Sequence, residues 1–221
     1  MSGRARLFCP ERFTLATAVK ICGITRIEDG QAAALAGAHA IGLVFHPASP
    51  RCVTPGRARE ILQRLPPFVT AVGLFVDSPI ARVCEILEEV PLQLLQFHGA
   101  EPPEYCAAFP VPYIKAVRVK AGVDLLQCAG RYASAKGLLL DAFVDDAAGG
   151  TGVRFDWDLI PAGLSLPVVL AGGLTPGNVE AAVRRVRPWA VDVSSGVERT
   201  KGIKDAAAMA AFIRGARDAD V

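Results

Sequence analysis

With 221 residues, 52% of them hydrophobic and 21% charged, the chain suits one folded domain with a sizeable apolar core, which argues against disorder. A formal net charge of +2 gives no broad electrostatic case for nucleic acid or a membrane, although local basic residues could hold an anionic small molecule. The six cysteines (Cys9, Cys22, Cys52, Cys84, Cys106 and Cys128) form no CxxC pair, and the three histidines are too scattered for zinc spacing; free thiols in a reducing cytoplasm are expected.

Residues 1–18 read as an N-terminal extension of no assigned function. Pro10, Glu11 and Arg12 interrupt its apolar residues before they reach signal-peptide length, and no run elsewhere is long enough to span a bilayer. From residue 19 to 221, short apolar runs alternate with amphipathic stretches. Val19 to Cys22 is strand-like, and Arg26 to Ala36 an Ala-rich helix stopped by Gly37. Ala40 to Phe45 is a strand; Thr54-Pro55 then opens a helix to Leu65, a cap followed by proline at the first helical position. Val69 to Val76 is a strand, and Asp77-Ser78-Pro79 is expected to cap a helix to Glu89. Leu92 to Phe97, Glu101 to Ala108, Tyr113 to Val119 and Val123 to Tyr132 continue the alternation. Gly137 to Leu140 is a compact strand, followed by the glycine-rich DDAAGGTG and a short helix near Trp157. Pro167 to Leu170 is a strand, Thr175-Pro176 starts a helix to Arg187, Ala190 to Val193 is a strand, and Asp205 to Arg217 is the last helix.

This makes eight β-then-α units with a repeat of roughly 25 residues. Strands apolar on both faces imply a parallel sheet covered by helices. The dinucleotide fingerprint GxGxxG does not follow the first strand and no GxxxxGK loop is present, so a single-domain (β/α)8 barrel is favoured over an open doubly wound sheet.

Chemistry in such barrels sits at the carboxyl ends of the strands. There, LAGGL (170–174) and VDVSSG (191–196) form a paired signal for phosphate. Gly172 and Gly173 let the backbone approach an anion, and Ser194 and Ser195 add hydroxyl donors. Cys22 could be a buried space-filler or, with cationic potential nearby, a thiolate base. Asp141, ending GLLLD, could be a turn aspartate or a carboxyl placed to donate a proton. Arg51 could be a solvated arginine or a guanidinium fork for a carboxylate. Asp192 could be a buried hydrogen-bonding residue or an acceptor for a substrate hydroxyl. His98 could be core, a metal ligand or a site donor. The charges of VERTKGIKD read as a solvated loop and helix start.

VKICGIT, GLVFHPASPR, LLQFHG, LLLDA, GGTGVRFDW, LAGGLTPGNV and VDVSSGVE with KGIKD, in that order from Val19 to Asp205, resemble the phosphoribosylanthranilate isomerase family. The resemblance implies a (β/α)8 barrel of tryptophan biosynthesis that needs neither metal nor cofactor. It implies an Amadori rearrangement of a small phosphorylated substrate; a monomer or homodimer is expected. Residue by residue, it puts the base on Cys22, the acid on Asp141 and the grip on the anthranilate carboxylate on Arg51. It puts the phosphate site on Gly172, Gly173, Ser194 and neighbouring N–H groups, and Asp192 in the pocket wall. The chain departs from it in the N-terminal extension and in ERTKG, where many relatives carry a proline-glycine turn. Two rivals remain at this point: a metal-dependent sugar-phosphate epimerase using His46, Asp77, His98 and Asp141, and a phosphosugar-binding barrel with no catalysis.

Overall fold

A computed structural model describes residues 16–120, 122–142 and 156–219. Eight parallel strands close into a barrel: β1 (Ala18–Cys22), β2 (Ala40–Val44), β3 (Thr70–Phe75), β4 (Leu94–Phe97), β5 (Tyr113–Val119), β6 (Leu138–Ala142), β7 (Val168–Leu170) and β8 (Ala190–Val193), each bonded to the next and β8 back to β1. Outside it lie α1 (Ile27–Ala36), α2 (Pro55–Leu62), α3 (Ile80–Glu89), α4 (Pro103–Cys106), α5 (Leu125–Arg131), α6 (Val179–Val186) and α7 (Ala206–Asp218). Among the described residues of the sixth unit, the helical element is one 3-10 turn, Trp157–Leu159. A two-stranded antiparallel hairpin, β9 (Glu198–Thr200) and β10 (Ile203–Lys204), follows β8.

Local chemistry sets most boundaries. Thr54 caps α2 by accepting from the Arg57 N–H, as Asp124 and Asp205 do for α5 and α7. Helix α1 stops where Gly37 turns left-handed, at φ 96°. Two starts differ from expectation. Helix α3 has Pro79 at its cap and no side-chain cap bond, because the Asp77 carboxylate instead accepts from the Ala100 N–H. Helix α6 begins at Val179, not near Pro176, because Asn178 accepts from the Thr175 N–H and donates to the Gly173 carbonyl, holding 175–178 as a turn. DDAAGGTG lies outside the described residues, as do the first fifteen residues and most of GGTGVRFDW.

Strand parity decides what enters the lumen, since alternate side chains point to opposite faces. One face packs against the helices and forms the main core: Ile21, Leu43, Phe75, Phe97, Leu138 and Leu140 are fully buried there. Stacked or tilted rings, Phe45 on Phe75 at 5.4 Å and Phe97 on Tyr113 at 5.8 Å, fill its β2–β5 side. The other face forms a separate apolar cluster of Ile114, Ala116, Leu139, Val169, Ala171 and Ala190, with Ala18 and Leu94 packed on it. These eight side chains fix the inward parity of their strands. Two residues further along each strand, the lumen turns polar.

Candidate active site

Parity from that apolar floor places Lys20 and Cys22 of β1, Gln96 of β4 and His98 just beyond it, Asp141 of β6 and Asp192 of β8 over the same lumen. Cys22 ends β1. Asp141 lies inside β6, opposite Arg118 of β5, instead of following a strand that ends at Leu140. The apolar run stops before the strand does, because the mouth is polar while the ladder continues.

On the β6 side, Gln96 is fully buried and its amide nitrogen lies 2.9 Å from His98 Nδ1. His98 Nε2 is 3.2 Å from Asp141 Oδ2. With Nδ1 accepting from the amide, neutral His98 carries its hydrogen on Nε2, aimed at the carboxylate. Both ring nitrogens are thus engaged within the protein. Asp141 Oδ1 has no partner among the described residues.

On the β1/β8 side, Lys20 Nζ donates to Asp192 Oδ1 at 2.8 Å, both side chains over 90% buried. The same ammonium acts electrostatically on the Cys22 sulfur and favours its anionic form. A Cβ at Gly42, on the neighbouring strand, would lie 2.7 Å from that sulfur and 3.1 Å from Lys20 Nζ, so the missing side chain makes room for both. Burial pushes the Cys22 thiol above its usual value; Lys20 and Lys204 pull it down, and Asp192 pushes it up. Burial also works against the Lys20 ammonium, but Asp192 and Cys22 outweigh it, and Lys20 ends above its ordinary value.

VERTKGIKD is not a solvated loop. It forms the β9/β10 hairpin, and Glu198 and Lys204 are buried side chains that complete the wall beside Cys22. Arg51 forks onto Glu198, Nε to Oε1 at 2.7 Å and Nη2 to Oε2 at 2.8 Å. Lys204 Nζ donates to Glu198 Oε1 at 2.9 Å and to the Ser194 carbonyl at 3.0 Å, while its backbone N–H donates to buried Asp29 of α1. Burial would raise the Glu198 carboxyl, but Arg51 and Lys204 override it and hold it below the usual range. Gly23, at φ 74°, lets the chain turn after Cys22 and leaves space for Arg51, whose Cδ would lie 2.5 Å from a Cβ there.

Gly172 and Gly173 are both left-handed, at φ 78° and 64°, and no described residue accepts from their N–H groups. Ser194 follows β8, and Ser195 opens a 3-10 turn, Ser195–Val197. The two loops touch: a Cβ at Gly196 would lie 1.9 Å from the Leu174 carbonyl, so only glycine allows this approach. Consecutive left-handed glycine N–H groups beside two serines are an arrangement that can accept an anion.

Of the four residues weighed for a metal, the structure joins only His98 and Asp141. Asp77 is held by the Ala100 N–H, and His46 lends its carbonyl to a turn at Ser49. No group of three or more His, Cys, Asp or Glu among the described residues could hold a metal ion. The five described cysteines are unpaired, and no described helix is long and apolar enough to cross a membrane.

The sequence reading missed Lys20, Gln96, Glu198 and Lys204. Lys20 and Gln96 carried a usable signal, a polar residue inside an apolar strand in step with a candidate site residue, Cys22 and His98 respectively.

Residues 19–215 match the family model described as PRAI, N-(5'phosphoribosyl)anthranilate (PRA) isomerase. An N-(5'-phosphoribosyl)anthranilate isomerase of Thiobacillus denitrificans is 59% identical over 92% of this chain and 99% of its own length; one of Pseudomonas paraeruginosa is 58% identical over 91% and 96%. Among solved structures, phosphoribosyl anthranilate isomerase from Thermus thermophilus superposes with a TM-score of 0.82 at 38% identity, over 90% of this chain and 98% of that one. A phosphoribosyl anthranilate isomerase solved with reduced 1-(o-carboxyphenylamino)-1-deoxyribulose 5-phosphate gives 0.78 at 39%, over 91% and 99%. With the profile matched along nearly all of the barrel and relatives near 60% identity, the chain belongs to the N-(5'-phosphoribosyl)anthranilate isomerase family.

Proposed function

We propose that the chain converts N-(5'-phosphoribosyl)anthranilate into 1-(2-carboxyphenylamino)-1-deoxyribulose 5-phosphate, the isomerisation step of tryptophan biosynthesis, with Asp141 as general acid and Cys22 as general base. The observation that carries this reading is that Cys22 and Asp141 stand at the mouth of one closed lumen, on strands three places apart around the barrel, beside the paired glycine and serine loops.

The substrate phosphate sits on the N–H groups of Gly172 and Gly173 and on Ser194 and Ser195. The Arg51–Glu198 fork uses the Nε/Nη2 edge of the guanidinium and leaves Nη1 for the anthranilate carboxylate. His98 takes one oxygen of Asp141 and so orients the other toward the ribose. Protonated Asp141 gives its proton to the furanose ring oxygen. The C1–O bond breaks, and the nitrogen lone pair forms a cationic C1=N Schiff base. The Cys22 thiolate then takes the C2 proton; the C–H electrons form C1=C2, and the C=N pair returns to nitrogen. The resulting enolamine ketonises, gaining a proton at C1 and losing one from the C2 hydroxyl. Atoms and electrons balance without a redox partner, and the cationic Schiff base is what makes C2 acidic enough for a thiolate. Asp192, beside the sulfur, accepts from a substrate hydroxyl. The reaction belongs in the cytoplasm, carried out by a monomer or homodimer.

The test is substrate-fluorescence loss in chelator-containing buffer for the parent chain, Cys22→Ala and Asp141→Asn. Turnover should persist with chelator and fall by about a hundredfold or more in each variant. Near-parental turnover in either variant removes that residue's role, and chelator-sensitive activity brings back the metal-dependent alternative.

A further inference from the structure

Lys20 has no part in the steps just described, yet it is buried directly beside the sulfur. Charged groups face Cys22 from several elements: Lys20 on its own strand, Asp192 on β8, Lys204 on β10, and Arg51 from the segment after β2, the last held by Glu198 on β9. Asp141 and His98 form their own pair across the mouth. Around the sulfur, therefore, three cations (Lys20, Lys204 and Arg51) stand against two carboxylates (Asp192 and Glu198). Burial holds the Lys204 ammonium below its ordinary value, and Asp29 of α1 adds a buried carboxylate beside the Lys204 backbone, so Lys20 is the cation that acts most strongly on the sulfur. In a low-dielectric lumen above an apolar floor, a neighbouring ammonium stabilises a thiolate more than it would in water.

The three cations are not equivalent. Lys204 spends its hydrogens on the Ser194 carbonyl, the Ser194 hydroxyl and Glu198, and Arg51 is forked onto Glu198. Among the described residues Lys20 has a single oxygen acceptor, Asp192 Oδ1, and Gly42 clears a space that its ammonium and the Cys22 sulfur both border. A purely structural lysine–carboxylate pair would have no reason to sit one strand step below a candidate base with the neighbouring strand cut back to glycine.

We propose that Lys20 is a positioning residue for the isomerisation: its ammonium, held by the Asp192 carboxylate beside the Cys22 sulfur, opposes the effect of burial and favours the anionic form of that sulfur, which removes the C2 proton. The inference rests on the reading of Cys22 as base. Lys20 keeps its three protons throughout. The thiol proton leaves to water before substrate fills the mouth, and the C2 proton later takes its place. Asp192 sets the strength of the effect, because a carboxylate that holds the ammonium also repels the thiolate.

The experiment is a titration of thiolate ultraviolet absorbance, taken as the difference between each protein and its Cys22→Ser counterpart, so that only position 22 is read. Lys20→Met should move the Cys22 titration up by about one pH unit or more, and Asp192→Asn should move it down. The acid limb of kcat/KM should move up by the same amount in Lys20→Met. If Lys20→Met does not fold alone, comparing Asp192→Asn with Lys20→Met/Asp192→Asn isolates the same effect without an unpaired buried carboxylate, and the double variant should titrate higher. A Cys22 titration that ignores residue 20 in whichever of these two comparisons folds overturns the inference and leaves the base reading intact. Full turnover in Cys22→Ser removes the base reading and leaves the titration result standing.

Discussion

Lys115 and Lys20 are each almost wholly buried and each paired with a carboxylate, at 2.9 Å to Glu101 and 2.8 Å to Asp192. Lys115 points out of the barrel, toward the segments that follow β3 and β4. Its three hydrogens are used by the Phe97 and Gly99 carbonyls and by Glu101; Glu101 in turn accepts from the N–H groups of Asp77 and Gly99. That network is complete and electrically balanced. Lys20 points into the lumen, bonds one carboxylate oxygen, and shares the rest of its field with a thiol. The same residue type thus staples loops in one place and, in the proposed role, favours the anionic form of a thiol in the other. The difference lies in how many of its hydrogens the protein itself consumes.

The largest effect separating the two regions should come from Lys115→Met. It strands Glu101 as a buried, unpaired charge and should cost about 3–5 kcal/mol of stability in urea unfolding, with the pH profile of turnover unchanged in the protein that remains folded. A shifted profile there would erase the contrast with Lys20. Next comes Gly23→Ala, which forces a side chain into left-handed backbone and against Arg51. A loss of about 1–3 kcal/mol is expected, together with a KM that rises more than kcat falls, because the carboxylate grip moves while acid and base stay. Equal loss in both parameters would instead tie the turn at Gly23 to Cys22 itself.

The smallest effect is on the alkaline side of the Lys115 region. Burial pushes Cys106 from 9.0 to about 11 and Tyr105 from 10.0 to about 12. These groups keep their protons longer when folded, so their contribution is whole below the unfolded values and is lost as pH rises toward the folded ones. Thermal scans between pH 8 and pH 10 should show stability falling by about 1 kcal/mol, and Cys106→Ala should flatten that slope. An unchanged slope would place the alkaline sensitivity elsewhere.

Much of this arrangement is legible in the amino-acid sequence. Eight apolar strand-like runs and the Thr54 cap predicted the barrel, since both act locally. The strand ends likewise singled out Cys22 and Asp141, and the loops after the second, seventh and eighth strands singled out Arg51 and the glycine–serine pair. What escaped depended on distance in sequence or on parity. Glu198 looks solvated beside Arg199 and Lys201, and only the hairpin turns it toward Arg51, 147 positions away. Thr175-Pro176 looks like a helix start, and only the second hydrogen bond from Asn178 to Gly173 shows why the helix waits. Asp141 marked the end of an apolar run, but the backbone ladder extends to Ala142 and so controls which way the carboxyl faces.

The hydrocarbon plug beneath the mouth has a bearing on how such a scaffold diversifies. Ala116, Ala171 and Ala190 occupy half of it, and none of its six members offers a polar atom upward from its side chain. Reactive groups above it can be exchanged without orphaning a partner below, save at Lys20 and Asp192, which must change together. Redesign for a different sugar phosphate should therefore begin with that couple held fixed and let the rim vary freely.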